Sequence, residues 1–178
     1  MEREPDFLAV VEKPSRYLGT EVNAVRKDPA FVRLRVALAF PDLYEIGTSH
    51  FGMQILYHVL NREPWIAAER VYAPAADLEA RLRARGERLG SLESRTPLDR
   101  FDWVGVSLLY ELNYTNLLAI LELGGIPLYG AERDRRHPFV LAGGPATCNP
   151  EPVAPFFDAM VVGDGEEVVL ELARAWLA

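Results

Sequence analysis

The residues best placed to do chemistry fall at the ends of apolar runs. Val36–Phe40 is continuous apolar sequence stopped by Pro41, and Asp42-Leu-Tyr44-Glu-Ile-Gly47 follows. A carboxylate, a phenol and a glycine in one turn can orient a ligand and let it approach. Ser107-Leu-Leu109 ends a second run and Gly143-Gly144 a third. Paired glycines carry no Cβ, so a flat ligand or another backbone can lie against them. Gly163-Asp-Gly165-Glu166 ends the last run. It lacks the Gly-x-Gly-x-x-Gly spacing of a dinucleotide loop, and its acids repel phosphate. His50 lies on the following helical segment, where it reads as an exposed or capped histidine before a metal ligand. Cys148 has no histidine beside it in sequence and is a poor candidate nucleophile. Tyr110 leaves the second run at the same edge, to line a pocket or meet another domain.

Composition removes several alternatives. At 178 residues and 49% apolar, the chain reads as one globular domain with trimmings. Its net charge of −7 argues against a broad nucleic-acid or membrane surface. Arg81, Arg83, Arg85 and Arg88 cluster, but with Glu79 and Glu87 among them they read as a solvated helix face. One cysteine permits no internal disulfide and no thiolate-held cluster. A reducing cytoplasm is the expected setting. The first residues lack the apolar core of a signal peptide. No run of about 18 apolar residues occurs, so no membrane span is expected.

These ends must be positioned by strands and helices. Residues 1–30, with Pro5, Pro14 and Pro29, read as an arm lying along another surface. Residues 31–178 read as one α/β domain. Phe31–Phe40 is the first strand, followed by a helix that Thr48 or Ser49 caps. Met53, Leu56 and Leu60 make its inner stripe, with His50, Gln54, Tyr57 and Asn61 opposite. Glu69–Ala73 is a second strand and Ala76–Arg85 a helix that Gly86 stops. Trp103–Leu109, Phe139–Ala142 and Ala159–Val162 complete the strands; Asn113–Leu123 and Glu166–Leu177 complete the helices. Strands alternating with helices require a parallel sheet covered on both faces. The expected fold is a flavodoxin-like, Rossmann-like three-layer sandwich of five strands in order 2-1-3-4-5. Its ligand edge lies at the carboxyl ends of strands 1, 3, 4 and 5.

Asp42-x-Tyr44-x-x-Gly47, Ser107-x-Leu109 and Gly143-Gly144 occur in an order that resembles cobalamin-binding domains. Those carry Asp-x-His-x-x-Gly, Ser-x-Leu and Gly-Gly at the corresponding strand ends. A closer resemblance covers nearly the whole chain. Pro14-Ser-Arg-Tyr-Leu-Gly19, Tyr110-Glu-Leu-Asn-Tyr-Thr-Asn116, Gly143-Gly-Pro145, Asn149-Pro-Glu-Pro152 and Val162-Gly-Asp-Gly-Glu-Glu167 are similar to the N-terminal domain of cobalamin-binding-type radical SAM proteins. The resemblance implies that Asp42, Tyr44, Gly47, Ser107, Leu109, Gly143 and Gly144 contact a corrinoid laid across the sheet edge. It implies no catalytic or metal-ligating residue in this chain. It also implies a downstream barrel, beyond Ala178, as partner in cis. That barrel would hold a [4Fe–4S] cluster on Cys-x-x-x-Cys-x-x-Cys and cleave S-adenosylmethionine. One departure matters. Tyr44 stands where the family's cobalt-binding histidine stands, and a neutral phenol, with a pKa of about 10, is a poor cobalt ligand. The corrinoid then keeps its own base, has no lower protein ligand or rests over the Tyr44 ring; otherwise the fold has kept its shape without the cofactor. Two other readings stay open: a cofactor-free docking scaffold, and an FMN-binding domain using Gly47-Thr48-Ser49 as a phosphate turn. A receiver domain is disfavoured, since the third strand ends in Ser-Leu-Leu without a phosphorylatable aspartate.

Overall fold

The apolar runs become five parallel strands in a computed structural model that describes residues 6–178. They are β1 (Leu34–Phe40), β2 (Ile66–Tyr72), β3 (Trp103–Ser107), β4 (Phe139–Gly143) and β5 (Ala159–Met160). Their order is β2-β1-β3-β4-β5, as the alternation of elements predicts. The helices are α1 (Tyr44–Gly47), α2 (Phe51–Arg62), α3 (Ala76–Arg85), α4 (Tyr114–Gly124) and α5 (Val168–Trp176).

Two cores explain why β1 reads as continuously apolar. On one face Ala37, Ala39, Val104, Val106, Val140 and Ala142 pack under α3 and α4 through Leu78, Leu82, Leu117, Ile120 and Leu121. On the other face Leu34, Val36, Leu38, Phe40 and Trp103 pack under α2 and α5 through Met53, Leu60, Val169 and Ala173. A central strand with both faces covered has no side to leave polar. Phe40 and Leu60 are fully buried, each worth roughly 1.5–3 kcal/mol of transfer free energy.

Several local expectations are corrected. β1 starts at Leu34; Phe31 sits in a 3-10 turn and is exposed. β2 starts earlier than expected, at Ile66, because Asn61 pairs with the backbone of Ala68 in both directions, at 3.0 and 3.1 Å. The cap of α2 is His50, not Thr48 or Ser49: its Nδ1 accepts from the amide of Met53 at 3.2 Å. Tyr57 faces inward, since its hydroxyl accepts from the amide of Val25 at 2.7 Å. Gly86 and Gly125 end α3 and α4 in the left-handed region.

The arm lies on the β2 side of its own domain. Tyr17 accepts from the amide of Ala75, Lys27 donates to the carbonyl of Glu63, and Arg16 meets Glu45 at 2.9 Å. Within β2, Glu69 and Arg70 are buried, which strand patterning does not anticipate. The loop before β3 supplies the reason. Glu93 accepts from Arg70 Nε at 2.6 Å and from the Arg70 amide at 2.7 Å, while Ser91 donates to Glu69 at 2.5 Å. Glu21 of the arm adds a second carboxylate to Arg70 at 3.0 Å. Arm and loop together sheathe the β2 edge.

Candidate functional site: a slot at the carboxyl edge

Residues of one parity on β1, β3 and β4 share a face, and on that face the side chains run out. Leu38 is level with Gly105, Gly105 with Leu141, and Ser107 with Gly143. Glycine at two of these places removes the material that would otherwise meet α2 and α5. What remains is a slot of about 430 Å³ between the sheet and these two helices. That is within the range of small-molecule sites. Leu38, Leu56, Leu141, Val169 and Leu172 make its walls apolar. Its mouth opens among the loops after β1, β3, β4 and β5, where His50, Ser107, Leu109, Pro145, Cys148, Asp164 and Glu166 line it.

The two paired glycines differ. A Cβ on Gly143 would meet nothing within 4 Å, in the lining of the slot. Gly144 has φ +105°, and a Cβ there would lie 2.5 Å from the carbonyl oxygen of Leu108. Gly144 is therefore required by the backbone, whereas Gly143 keeps space open. The β3 end is fixed against this turn by Leu108, whose amide donates to the Gly143 carbonyl at 2.8 Å and whose carbonyl accepts from Ala146 at 3.2 Å.

Four of the seven residues singled out from sequence, Ser107, Leu109, Gly143 and Gly144, thus line one slot. The other three are held elsewhere. Asp42 accepts from the Leu43 amide at 2.8 Å and from the Tyr110 hydroxyl at 3.0 Å. The preceding Pro41 carbonyl takes the amides of Asn113 and Asn116, each at 3.0 Å, so the turn is clamped to the start of α4. Tyr44 points toward the arm: its hydroxyl donates to Glu21 at 2.6 Å and its ring meets Tyr72 edge-on. Burial, then the bond to Glu21, pushes the phenol up to about 12. It lines two smaller cavities beside β2, of about 230 and 140 Å³, and not the slot. Gly47 is buried against Tyr72, whose ring atom would lie 2.4 Å from an added Cβ.

No cobalt ligand emerges from these positions. Tyr44 is a neutral phenol turned away, and His50 uses Nδ1 as a cap acceptor, so its remaining nitrogen carries the proton. Among the described residues no group of three or more His, Cys, Asp or Glu could hold a metal. In the Gly47-Thr48-Ser49 turn two donors are already used. Thr48 N–H donates to the Tyr44 carbonyl and the Ser49 hydroxyl to that of Ile46, which leaves neither for a phosphate.

Sequence reasoning missed His50, Gly105 and Trp103 as slot residues, and the α5 wall. A signal for Gly105 existed: it interrupts the apolar run Trp103–Val106, where a packed strand has no need of glycine.

A family model described as "Radical SAM proteins, N-terminal" matches residues 52–178. The chain belongs to this family of radical SAM N-terminal regions. A comparison with curated proteins finds no match. The part matched as a radical SAM N-terminal region contains Ser107, Leu109, Gly143 and Gly144 and stops short of Asp42, Tyr44 and Gly47. Radical SAM membership implies a [4Fe–4S] cluster and S-adenosylmethionine in a catalytic domain. Among the described residues of this N-terminal region no helix is long and apolar enough to cross a membrane.

Proposed function

We propose that this domain holds a corrinoid across the carboxyl ends of β1, β3 and β4 and presents it to a radical SAM barrel that follows in cis. The observation that carries the reading is the slot: Ser107, Leu109, Gly143 and Gly144 converge on one apolar opening at that edge. A corrin ring would be too large for about 430 Å³, so Ser107, Leu109, Gly143 and Gly144 would hold it at the mouth of the slot. A bound corrinoid supplies methyl-transfer chemistry. This chain's residues bind and orient: the slot walls exclude water, and Gly143 keeps the entrance open. Asp42 and Tyr44 act as supports of the turn, through Tyr110 and Glu21.

Hydroxocobalamin mixed with the chain, alone and joined to the barrel, tests this by gel filtration with visible absorbance. The expected result is a red species eluting with protein and lost in Gly143→Leu. Colourless protein in both forms sinks the reading. A cofactor-free docking domain is favoured in that event by Phe51, Leu112 and Val162. These are 76%, 81% and 66% exposed, and each follows a strand's carboxyl end.

A further inference from the structure

The slot combines apolar walls with a rim of one sign. It runs from the Ser107–Gly143 level at the mouth to the Leu38–Gly105–Leu141 level, two residues of strand or roughly 7 Å below. Leu56, Val169 and Leu172 close it from the helices. Among the described residues, Asp164 and Glu166 are the charged ones that line it; both are exposed, and no lysine or arginine joins them. No hydrogen bond or ion pair among the described residues holds either carboxylate. Whichever way each one turns, it stays within a Debye length of the mouth, roughly 10 Å at 0.1 M salt. His50 stands there too, and burial lowers its pKa, so it adds no charge at pH 7.5. The wider rim has the same sign. Residues 41–50, 108–113, 144–153 and 161–167, which leave the carboxyl ends of β1, β3, β4 and β5, hold seven Asp or Glu and no Lys or Arg. Three helices, α2, α4 and α5, start at this rim, and each dipole offsets only about half a charge. Lys13 and Arg16 of the arm offset two more, both at Glu45. The balance stays negative.

From this we infer that the slot takes the apolar body of a small organic cation, an alkyl or aralkyl ammonium whose charge stays in water at the mouth, in the field of Asp164 and Glu166. The volume of about 430 Å³ limits the body to a small molecule. A neutral ligand with the same body is held by the walls alone, and an anion is held by the walls against the field. The inference rests on reading the slot as a ligand site, not on that ligand being a corrinoid.

The probes share one body and differ in charge: 4-phenylbutylammonium, 4-phenylbutan-1-ol and 4-phenylbutanoate. Binding to the ¹⁵N-labelled chain is read at pH 7.5 from the backbone amide resonances of Gly105, Ser107 and Gly143. The ammonium is expected to move all three and to bind about five- to tenfold tighter than the alcohol in about 20 mM salt, with the carboxylate weakest. At about 300 mM salt that preference should shrink to about twofold. Asp164→Asn combined with Glu166→Gln should abolish it and leave binding of the alcohol unchanged. Both side chains are exposed, and the salt series needs no substitution, so the test stands even if the variant fails to fold. Amides that stay in place with every probe, an ammonium bound no tighter than the alcohol, or a preference that survives the double substitution overturns the inference. Failure of hydroxocobalamin retention with a retained ammonium preference would remove the corrinoid and leave this inference; the reverse would do the opposite.

Discussion

At the scale of single residues, the job His50 does as a cap depends on one protonation state. Its Nδ1 caps α2 only while unprotonated, and burial holds the folded-state pKa below the ordinary 6.5. A group depressed in this way contributes stability that is complete above the unfolded pKa and is lost as pH falls through it toward the folded value. Asp164 and Glu166 share the slot with His50, yet burial is the cause that sets the direction. Urea unfolding at pH 7.5 and 5.5 should therefore show wild type losing more stability than His50→Asn. His50→Ala should cost about 1 kcal/mol at pH 7.5. Equal losses in wild type and His50→Asn would assign the pH dependence elsewhere. That job was not legible in the sequence, where Thr48 and Ser49 are the better-known caps. The hydroxyl of Ser49 instead donates backward to Ile46, which left the cap to the histidine.

Elements set what the glycines mean. Gly143 and Gly144 look equivalent in sequence, and only the turn out of β4 separates them. Gly144→Ala places a Cβ against the Leu108 carbonyl at a φ that L-residues resist, at a cost of about 1–3 kcal/mol. Gly143→Ala meets open space and should change stability by less than about 0.5 kcal/mol while narrowing the slot. Thermal denaturation of the two variants decides this; equal destabilisation would mean that Gly143 is structural too. The elements themselves were largely readable. Continuous apolar runs located β1, β3 and β4, because buried parallel strands leave that pattern, whereas β2 was expected only from Glu69 and β5 on to Val162. Their ends were less so: β3 stops at Ser107, not Leu109, because Leu108 turns to bond the Gly143 carbonyl and the Ala146 amide. The contacts that end the strand are between residues far apart in sequence, which periodicity cannot report.

For the molecule as a whole, the least legible feature is the seam on β2. Arg70 and Glu93 have side chains only 8% and 1% exposed, and Glu21 closes the cluster from the arm. Burial pushes the Glu93 carboxyl up, more than Arg70 beside it pulls it down. Removing the arginine alone leaves a buried carboxyl uncompensated, so Arg70→Met should destabilise by about 3–5 kcal/mol. Arg70→Met with Glu93→Leu should recover most of that loss, measured as a double-mutant cycle in urea. Additive losses would show that the two side chains do not act as a pair. In sequence nothing marked the charges of the Glu69–Ala73 strand as buried or gave residues 87–102 a partner on it. Only long-range closure brings Ser91 and Glu93 onto the strand and explains both.

That seam also decides how this sheet can meet neighbours. Leu92 takes the Arg70 carbonyl at 2.7 Å, so loop backbone already occupies the outer side of β2. At the opposite margin β5 is two residues long, too little template for a foreign strand. A partner is thus denied the generic language of backbone pairing at both margins and must address the side chains of the loops. Association with this domain is accordingly a matter of surface identity, open to change by single substitutions and resistant to indiscriminate strand exchange.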